Sequence, residues 1–284
     1  MDKNLLEGTR PGISGKDGTY DLPILYYRDN TALATFTADT RKVREFLPSE
    51  NLYPIPLTPG RCLISLAMFN YIHTTIGPYG ELAFAIPVMH KKNPRTPIPA
   101  LRQSSDPRFG MWICHLPVTS QIALRAGRDE WNYPKFISDM TFEINDRYME
   151  CDLASEGKKI IDLRVENKGF IMRENRPLVS FTIQDGSLVR CLMSTRSVLA
   201  QKIWPGDSFL KVYPGHPMSN DWLALDPSEK PILTQNYYER FLVLPRGTIV
   251  EHGTKEWNGY NFTNNGRDGR HTTTYDNVII NAER

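Results

Sequence analysis

The sequence has few of the features that mark secreted, metal-binding or nucleic-acid-binding proteins. Only four of its 284 residues are cysteines. They are widely spaced within apolar stretches, which is typical of buried reduced thiols rather than of a disulfide framework or a metal knuckle. Lysine and arginine number 34 and nearly balance the 32 aspartates and glutamates. The sequence therefore lacks the basic excess typical of nucleic-acid binding, and we expect a small molecule as its partner.

Long apolar runs are also missing from the sequence. A membrane-spanning helix needs about 20 predominantly apolar residues, and no uninterrupted run approaches that length. The first residues, MDKNLLEGTRPG, contain no apolar core of signal-peptide length. We therefore expect a soluble, cytoplasmic protein that does not enter the membrane.

The common signatures of catalytic and cofactor sites are missing too. The sequence has no GxSxG elbow, no HExxH, no GxGxxG after a strand and no phosphate-binding P-loop, and its six histidines include no pair at metal-ligand spacing. His90 and His115 follow apolar, strand-like runs, where a lone histidine is more often structural than catalytic. We therefore expect neither a metal ion nor a cofactor.

The residues that are present predict mostly short strands. LPILYYRD and ALATFTAD (22–29 and 32–39) are rich in apolar and aromatic residues and are joined at Asp29-Asn30, so they could pair as a hairpin. RKVREFLP (41–48) predicts a short amphipathic helix that Pro48 ends. The longer apolar runs at 61–72 and 82–90 predict strands buried on both faces.

The second half of the chain continues this pattern. ISDMTFEIND, YMECDLASEG and KKIIDLRVEN, between residues 137 and 167, alternate apolar and polar residues and predict an antiparallel meander. Asp185-Gly186 predicts a tight hairpin turn. No repeat or linker divides the chain, but from Gly253 the composition shifts to Asn, Gly, Thr and Arg. We predict one domain over 1–252 and a C-terminal extension or arm over 253–284.

One lysine lies in an unusual local setting, in RAGRDEWNYPKFISDM (125–140). Pro134 restricts Tyr133 to an extended conformation, so the position of Lys135 after the helix-like run is tightly determined. If the amine points inward with the apolar strand that follows, desolvation disfavours the ammonium form and leaves an amine that can attack a ketone. The alternative is a lysine that snorkels at a strand edge, which is the commoner case.

Two segments carry a family resemblance. GRDEWNYPK (127–135) and YGELAFAIPV (79–88) resemble the acetoacetate decarboxylase family, and LISLAMF, PGHPMSNDWLALDP and FLVLPRGTIV match it in order. The resemblance covers about residues 20 to 250. It implies an α+β fold that is mainly antiparallel β, a single domain with a central β-barrel and a few short helices, assembled into a homo-oligomer.

The resemblance also assigns roles. Lys135 matches the Schiff-base lysine of the family and Glu81 its active-site glutamate. A lysine becomes a better nucleophile through desolvation or through a neighbouring cation. Phe136 stands where the family usually has a second lysine, so the neighbouring cation is missing. Its ring can contribute only desolvation. The arginine that holds the substrate carboxylate should fall near Tyr20, and a second acidic residue near Ile64, but neither is present.

Four further residues complete the predicted substrate-binding set with Phe136. Tyr20 or Tyr133 could donate a phenolic hydrogen bond in place of the missing charge. Arg128, inside the motif, and His216, in a matching segment, are expected to support the site.

The predicted activity is that of a Schiff-base-forming lyase. Decarboxylation of a β-keto acid or related oxo compound through an imine on Lys135 comes first, because it is the parent activity of the family. Without a cation for the carboxylate, an aldolase, dehydratase or cyclase using the same lysine is close behind. A barrel that binds small ligands without catalysis is the alternative from another class.

Overall fold

A computed structural model describes residues 10–15, 18–94, 106, 108–255 and 266–276. About 60% of the structure is strand, and the described residues include three short helices, α1 (Thr40–Phe46), α2 (Gln121–Trp131) and α3 (Pro217–Ala224). The strands are β1 Arg10–Gly15, β2 Gly18–Leu22, β3 Ile24–Asp39, β4 Leu52–Pro54, β5 Pro56–Thr58, β6 Arg61–Thr74, β7 Tyr79–His90, β8 Phe109–His115, β9 Asp139–Asn145, β10 Tyr148–Ser155, β11 Lys158–Glu166, β12 Phe170–Glu174, β13 Leu178–Gln184, β14 Ser187–Ile203, β15 Phe209–Val212, β16 Leu233–Leu244, β17 Thr248–His252 and β18 His271–Asp276.

Seven strands form a closed mixed barrel. Their order is β7-β8-β13-β14-β16-β3-β6, and pairing of β6 with β7 closes the ring. The pair β8 and β13 is parallel, and the other neighbours in the ring are antiparallel. The fold class predicted from the sequence, a mainly antiparallel single domain around a central barrel, is therefore confirmed.

A second sheet, β15-β11-β10-β9-β18, packs against the outside of the barrel. Because side chains alternate between the two faces of a strand, most of the barrel strands contribute to two apolar layers. Leu66, Leu82 and Phe84 face outward into the layer shared with β9, β10 and β11. The interior cluster contains Tyr71 of β6, Ala83 of β7, residues of β3, β8, β14 and β16, and side chains of α2, and Leu178 of β13 packs against it. Each layer excludes water from one face of the barrel.

Several local predictions are confirmed. Helix α1 begins after Asp39, whose side chain accepts a hydrogen bond from the Lys42 N–H at 3.0 Å, and it ends before Pro48. The meander is β9, β10 and β11. Asp185 and Gly186 both have positive φ angles, 48° and 65°, as a two-residue hairpin turn of this type requires.

The hairpin predicted at Asp29-Asn30 is wrong. Residues 24–39 form one strand, with an irregular register between Tyr26 and Asp29. Asp29 is turn-prone by propensity, but its buried carboxylate pairs with Arg240 and accepts a hydrogen bond from Thr31 at 2.7 Å. A side-chain partner in the tertiary structure therefore overrides the local turn signal.

The predicted boundary at residue 252 stays a prediction. Part of the predicted extension, His271–Asp276, pairs in parallel with β9 at the edge of the second sheet. Residues 256–265 and 277–284 lie outside the described residues.

Candidate active site

The backbone around Lys135 is fixed by the end of α2. Asn132 adopts a left-handed conformation (φ 48°, ψ 38°), and the Tyr133 N–H returns to the Gly127 carbonyl at 3.0 Å, which is a common way to end a helix. Arg128 then donates from Nε to the Lys135 carbonyl oxygen at 2.9 Å. These contacts set the direction in which the lysine side chain leaves the backbone.

The Lys135 side chain points into the barrel. Only 5% of the residue is exposed, and its Nζ donates to Oε2 of Glu81 at 2.7 Å. Glu81, on β7, is 7% exposed. The rings of Tyr79 and Tyr133 lie beside the ammonium, with Nζ 5.8 Å and 6.0 Å from their centroids. Lys135 and Glu81, the two residues predicted to be catalytic, therefore form a buried ion pair next to two tyrosine rings.

Gly127 makes room for this side chain. A Cβ placed at Gly127 would lie 2.5 Å from Cδ and 3.2 Å from Nζ of Lys135. Since real Cβ atoms do not approach other atoms this closely, the lysine crosses α2 at a point where only glycine leaves space. The Gly-Arg step of the motif therefore has two separate structural roles, clearance at Gly127 and backbone support at Arg128.

A second ion pair lies in the same interior. Arg240, on β16, donates to Asp29 from Nε at 3.0 Å and from Nη2 at 2.9 Å, and its guanidinium carbon lies 4.9 Å above the Phe69 ring. Burial alone would lower the pKa of Arg240, but the Asp29 carboxylate beside it raises that pKa above its ordinary value. The guanidinium therefore stays charged.

Tyr71 connects the two pairs. Its hydroxyl donates to Oε1 of Glu81 at 3.3 Å, and the guanidinium carbon of Arg240 lies 5.7 Å from the centre of its ring. Its ring is 4.6 Å from both Tyr26 and Tyr79, and the hydroxyls of those two tyrosines lie 3.0 Å apart. Burial, and then the charge of Glu81, raises the pKa of Tyr71 well above its ordinary value, so the phenol keeps its proton.

Two predicted binding residues lie beside α2. Tyr133 packs beside Lys135, and its hydroxyl hydrogen-bonds Ser180 at 2.6 Å. Tyr20 donates to Glu130 of α2 at 3.4 Å, and burial together with the Glu130 carboxylate raises the pKa of Tyr20 to about 12. Both hydroxyls therefore have protein partners.

Phe136 and His216 lie elsewhere, in contact with each other. Their rings are 5.1 Å apart, and Phe136 belongs to the layer between the barrel and the second sheet. Because Phe136 follows Lys135 in an extended segment, its side chain takes the opposite direction and does not supply the desolvation expected of it. The His216 side chain instead caps α3 by accepting from the Met218 N–H at 3.2 Å, and burial lowers its pKa to about 4.

The sequence analysis missed Tyr71 and Arg240. A signal for each was present. Tyr71 shares a face of β6 with Phe69, which pairs directly with Glu81, so alternation alone places it near the glutamate. Arg240 is a charge inside an apolar strand, NYYERFLVL, which is unusual unless a partner is buried with it.

Neither a metal-binding cluster nor a membrane-spanning helix occurs among the residues that the structure describes. No group of three or more His, Cys, Asp or Glu side chains within them could hold a metal ion. Among the same residues, no helix has the length and apolar character needed to cross a membrane.

Solved structures that share this fold include three that match most of the chain. One is a structure of acetoacetate decarboxylase that is 16% identical in sequence, with a TM-score of 0.60. The match covers 89% of this chain and 99% of that one. Acetoacetate decarboxylase from Legionella pneumophila subsp. pneumophila str. Philadelphia 1 is also 16% identical, with a TM-score of 0.58 and coverage of 87% and 90%. The enduracididine biosynthesis enzyme MppR, complexed with the condensation product of pyruvate and imidazole 4-carboxaldehyde, is 13% identical, with a TM-score of 0.57 and coverage of 81% and 89%.

At these identities the structural likeness shows the fold. A comparison with curated protein sequences finds no match. The family model Acetoacetate decarboxylase (ADC) matches residues 14–252, which include the barrel, α2 and both members of the Lys135–Glu81 pair. The chain therefore belongs to the acetoacetate decarboxylase family.

Proposed function

We propose that the protein is a lyase that forms a Schiff base between Lys135 and a small oxo substrate. The observation that carries this proposal is the Lys135–Glu81 pair, an amine and a carboxylate 2.7 Å apart inside the barrel. A solvated surface lysine would stay charged and hydrated, whereas a buried amine beside a proton acceptor can lose its proton and act as a nucleophile. Family membership supports the same class of enzyme.

The first steps use only this pair. One proton passes from Nζ of Lys135 to Oε2 of Glu81, which leaves a neutral amine and a neutral acid. The amine adds to the substrate ketone, and Glu81 returns the proton to the hydroxyl of the carbinolamine, which departs as water. The product is an iminium ion beside the Glu81 carboxylate. As before the reaction, the nitrogen of Lys135 carries one positive charge and Glu81 one negative charge.

The iminium ion then accepts electrons from a neighbouring bond. In a β-keto acid, the bond to the carboxylate breaks, CO₂ leaves and the electron pair forms an enamine. The enamine carbon takes up one proton, and water hydrolyses the new iminium ion to a ketone and the Lys135 ammonium. Each turnover consumes one proton from solution, and Glu81 is positioned to deliver it.

An aldolase, dehydratase or cyclase is the second candidate. MppR, which shares the fold, is described in complex with a condensation product of pyruvate and an aldehyde. The same iminium ion supports that chemistry when a C–H bond, rather than a bond to a carboxylate, supplies the electrons. Arg240 is already engaged by Asp29, so this interior cation is not free to hold a substrate carboxylate.

Borohydride trapping tests the proposal. The protein is incubated with acetone, acetoacetate, pyruvate and 4-phenyl-2-butanone, reduced, digested and examined by peptide mass spectrometry. We expect an adduct on Lys135 that is absent in Lys135→Met, which keeps an unbranched apolar side chain. Lys202→Met is the matched control, because Lys202 also pairs with a buried carboxylate, Glu166, at 2.8 Å.

Product analysis then separates the reactions. Release of CO₂ from acetoacetate identifies a decarboxylase, whereas a condensation product from pyruvate and an aromatic aldehyde identifies the second candidate. If Lys135 stays unmodified with every ketone, Schiff-base catalysis is wrong and the non-catalytic binding barrel takes its place.

A further inference from the structure

Glu81 receives a hydrogen bond at each of its carboxylate oxygens, from two different residues. Lys135 donates to Oε2 at 2.7 Å and Tyr71 to Oε1 at 3.3 Å. The first contact belongs to the proposed imine chemistry. The second connects the glutamate to a part of the barrel interior that neither the motif nor the sequence analysis included.

The direction of the Tyr71 hydrogen bond follows from its neighbours. An ionised carboxylate can only accept, and the Arg240 guanidinium, whose carbon lies 5.7 Å from the centre of the Tyr71 ring, offers no acceptor. The single phenolic proton of Tyr71 is then available for an acceptor, and Glu81 is that acceptor. Tyr71 therefore donates to Glu81 in a fixed direction.

Asp29 determines the position of Arg240. It accepts two hydrogen bonds from one edge of the guanidinium, at 3.0 Å and 2.9 Å, and its side chain is fully buried. Paired in this way, a planar guanidinium has little freedom to rotate. Four side chains from β3, β16, β6 and β7 therefore form one connected series: Asp29, Arg240, Tyr71 and Glu81.

We infer that Tyr71 and Arg240 are positioning residues of the active site, with Arg240 packing against the Tyr71 ring and Tyr71 holding the Glu81 carboxylate in the orientation in which it serves as the base toward the iminium intermediate. This inference rests on the proposed imine chemistry. A hydrogen bond to a carboxylate favours its charged form. Since its own pKa is raised by burial, Tyr71 keeps its proton and can serve as a donor throughout the cycle.

Exchange of the methyl protons of acetone in D₂O measures this role apart from imine formation. Borohydride trapping reports the imine on Lys135, whereas exchange also requires Glu81 to take a proton from the iminium ion. Without the Tyr71 donor, Glu81 loses a hydrogen bond that is stronger to a carboxylate than to a neutral acid. We expect Tyr71→Phe to move the acidic limb of the exchange profile upward by about one pH unit, since a hydrogen bond to a charged group contributes on that scale.

Tyr26→Phe is the matched control. Tyr26 is also a buried interior tyrosine, and its ring lies 4.6 Å from that of Tyr71, but its hydroxyl bonds to Tyr79 rather than to Glu81. After an incubation long enough to complete imine formation, we expect Tyr71→Phe to trap acetone on Lys135 to the same extent as the unaltered protein while its exchange profile shifts. Tyr26→Phe should leave both measurements unchanged.

Arg240 is tested with its partner, because removing the arginine alone leaves Asp29 buried and unpaired. The double variant Asp29→Asn, Arg240→Gln replaces the ion pair with two amides that can still bond to each other. We expect its exchange profile to shift in the same direction as that of Tyr71→Phe. A double variant with an unshifted profile would overturn the role of Arg240.

Two other outcomes are decisive. An unshifted profile in Tyr71→Phe, or equal shifts in Tyr71→Phe and Tyr26→Phe, would overturn this inference and leave the proposed function standing. Failure of the unaltered protein to form any adduct with acetone or the other ketones would overturn the proposed function, and the inference with it.

Discussion

Gly127 and Lys135 are in direct contact across the end of α2, and the contact leaves no room for a side chain on the glycine. A Cβ at residue 127 would lie 2.5 Å from Cδ of the lysine. The atoms it would meet belong to the flexible part of the lysine side chain, so the lysine rather than the backbone would move. The position of the candidate nucleophile thus depends on a residue eight positions earlier in the chain.

We therefore expect Gly127→Ala to reduce the reactivity of Lys135 without reducing the stability of the fold. Alanine favours a helix over glycine by about 1 kcal/mol, which offsets the cost of moving the lysine, so the urea midpoint should stay close to that of the unaltered protein. The displaced Nζ would lose its 2.7 Å contact with Glu81, and the borohydride adduct on Lys135 should fall at least tenfold, roughly 1.4 kcal/mol.

Gly206→Ala provides the control for this change. A Cβ at Gly206 meets no atom within 4 Å, so we expect an undiminished adduct. An undiminished adduct in Gly127→Ala would contradict the assigned role of the glycine.

Glu81→Gln should affect the proton-transfer steps more than trapping. The amide keeps the shape of the side chain but cannot accept and return a proton, and a positioned acid or base commonly contributes about 10²-fold or more. We expect turnover or acetone exchange to fall on that scale, while long incubation still yields an adduct on Lys135. The control is Glu130→Gln, a buried carboxylate on α2 that bonds to Tyr20. Comparable losses in both variants would argue against a specific role for Glu81.

Arg240→Met should destabilise the fold strongly. Removing one partner of a buried ion pair leaves the other charge without compensation, at a cost of about 3–5 kcal/mol. We expect a lower urea midpoint, and a smaller loss when Asp29→Leu is combined with Arg240→Met, because the unpaired carboxylate is then gone. If the double variant unfolds as easily as Arg240→Met, the loss reflects packing rather than an unpaired charge.

Asp152→Asn should stabilise the protein at neutral pH. Asp152 and Asp162 face each other across β10 and β11, and burial followed by the Asp162 carboxylate raises the pKa of Asp152. A raised pKa in the folded state means that the protonated form is favoured on folding, so stability is lost as pH rises through that pKa. We expect a gain of about 0.5 kcal/mol at pH 7, the scale of a cross-strand like-charge pair, and little gain at pH 3.

Glu150→Gln is the opposite case on the same strand. Glu150 accepts from Nε of Arg164 at 2.6 Å, so its neutralisation removes an attractive contact. We expect a small loss at pH 7. A gain in both variants would indicate a general effect of net charge rather than repulsion between Asp152 and Asp162.

Local sequence patterns predicted elements whose cause is local. The Asp39 cap, the Asp185-Gly186 turn and the alternation of β9, β10 and β11 depend on residues within a few positions of one another. The turn predicted at Asp29 failed because Arg240, 211 positions away, occupies its carboxylate. Propensity describes the residue and its neighbours, whereas a buried charge is placed by its distant partner.

The predictions for the candidate site show the same difference between local and distant causes. Lys135 and Glu81 were chosen from a family motif, and the fold brings them together although they are 54 positions apart. Phe136 was included because it stands where the family usually has a second lysine, yet its side chain lies in the layer between the barrel and the second sheet, away from the amine of the lysine it follows. Tyr71 and Arg240 belong to no part of the motif, and only the closure of the barrel brings them to Glu81.

By itself, the sequence determined a strand-rich, mainly antiparallel chain with a lysine held after a Tyr-Pro step. It did not determine which face of each barrel strand is the inside. Both faces are apolar, since Ala83 and Ala85 face the interior while Leu82 and Phe84 face the second sheet. Alternation then defines two sets of side chains without saying which one encloses the site. Only the closure of β6 on β7, and the packing of the second sheet on the other face, decided that Glu81, Tyr71 and Arg240 share the interior with Lys135.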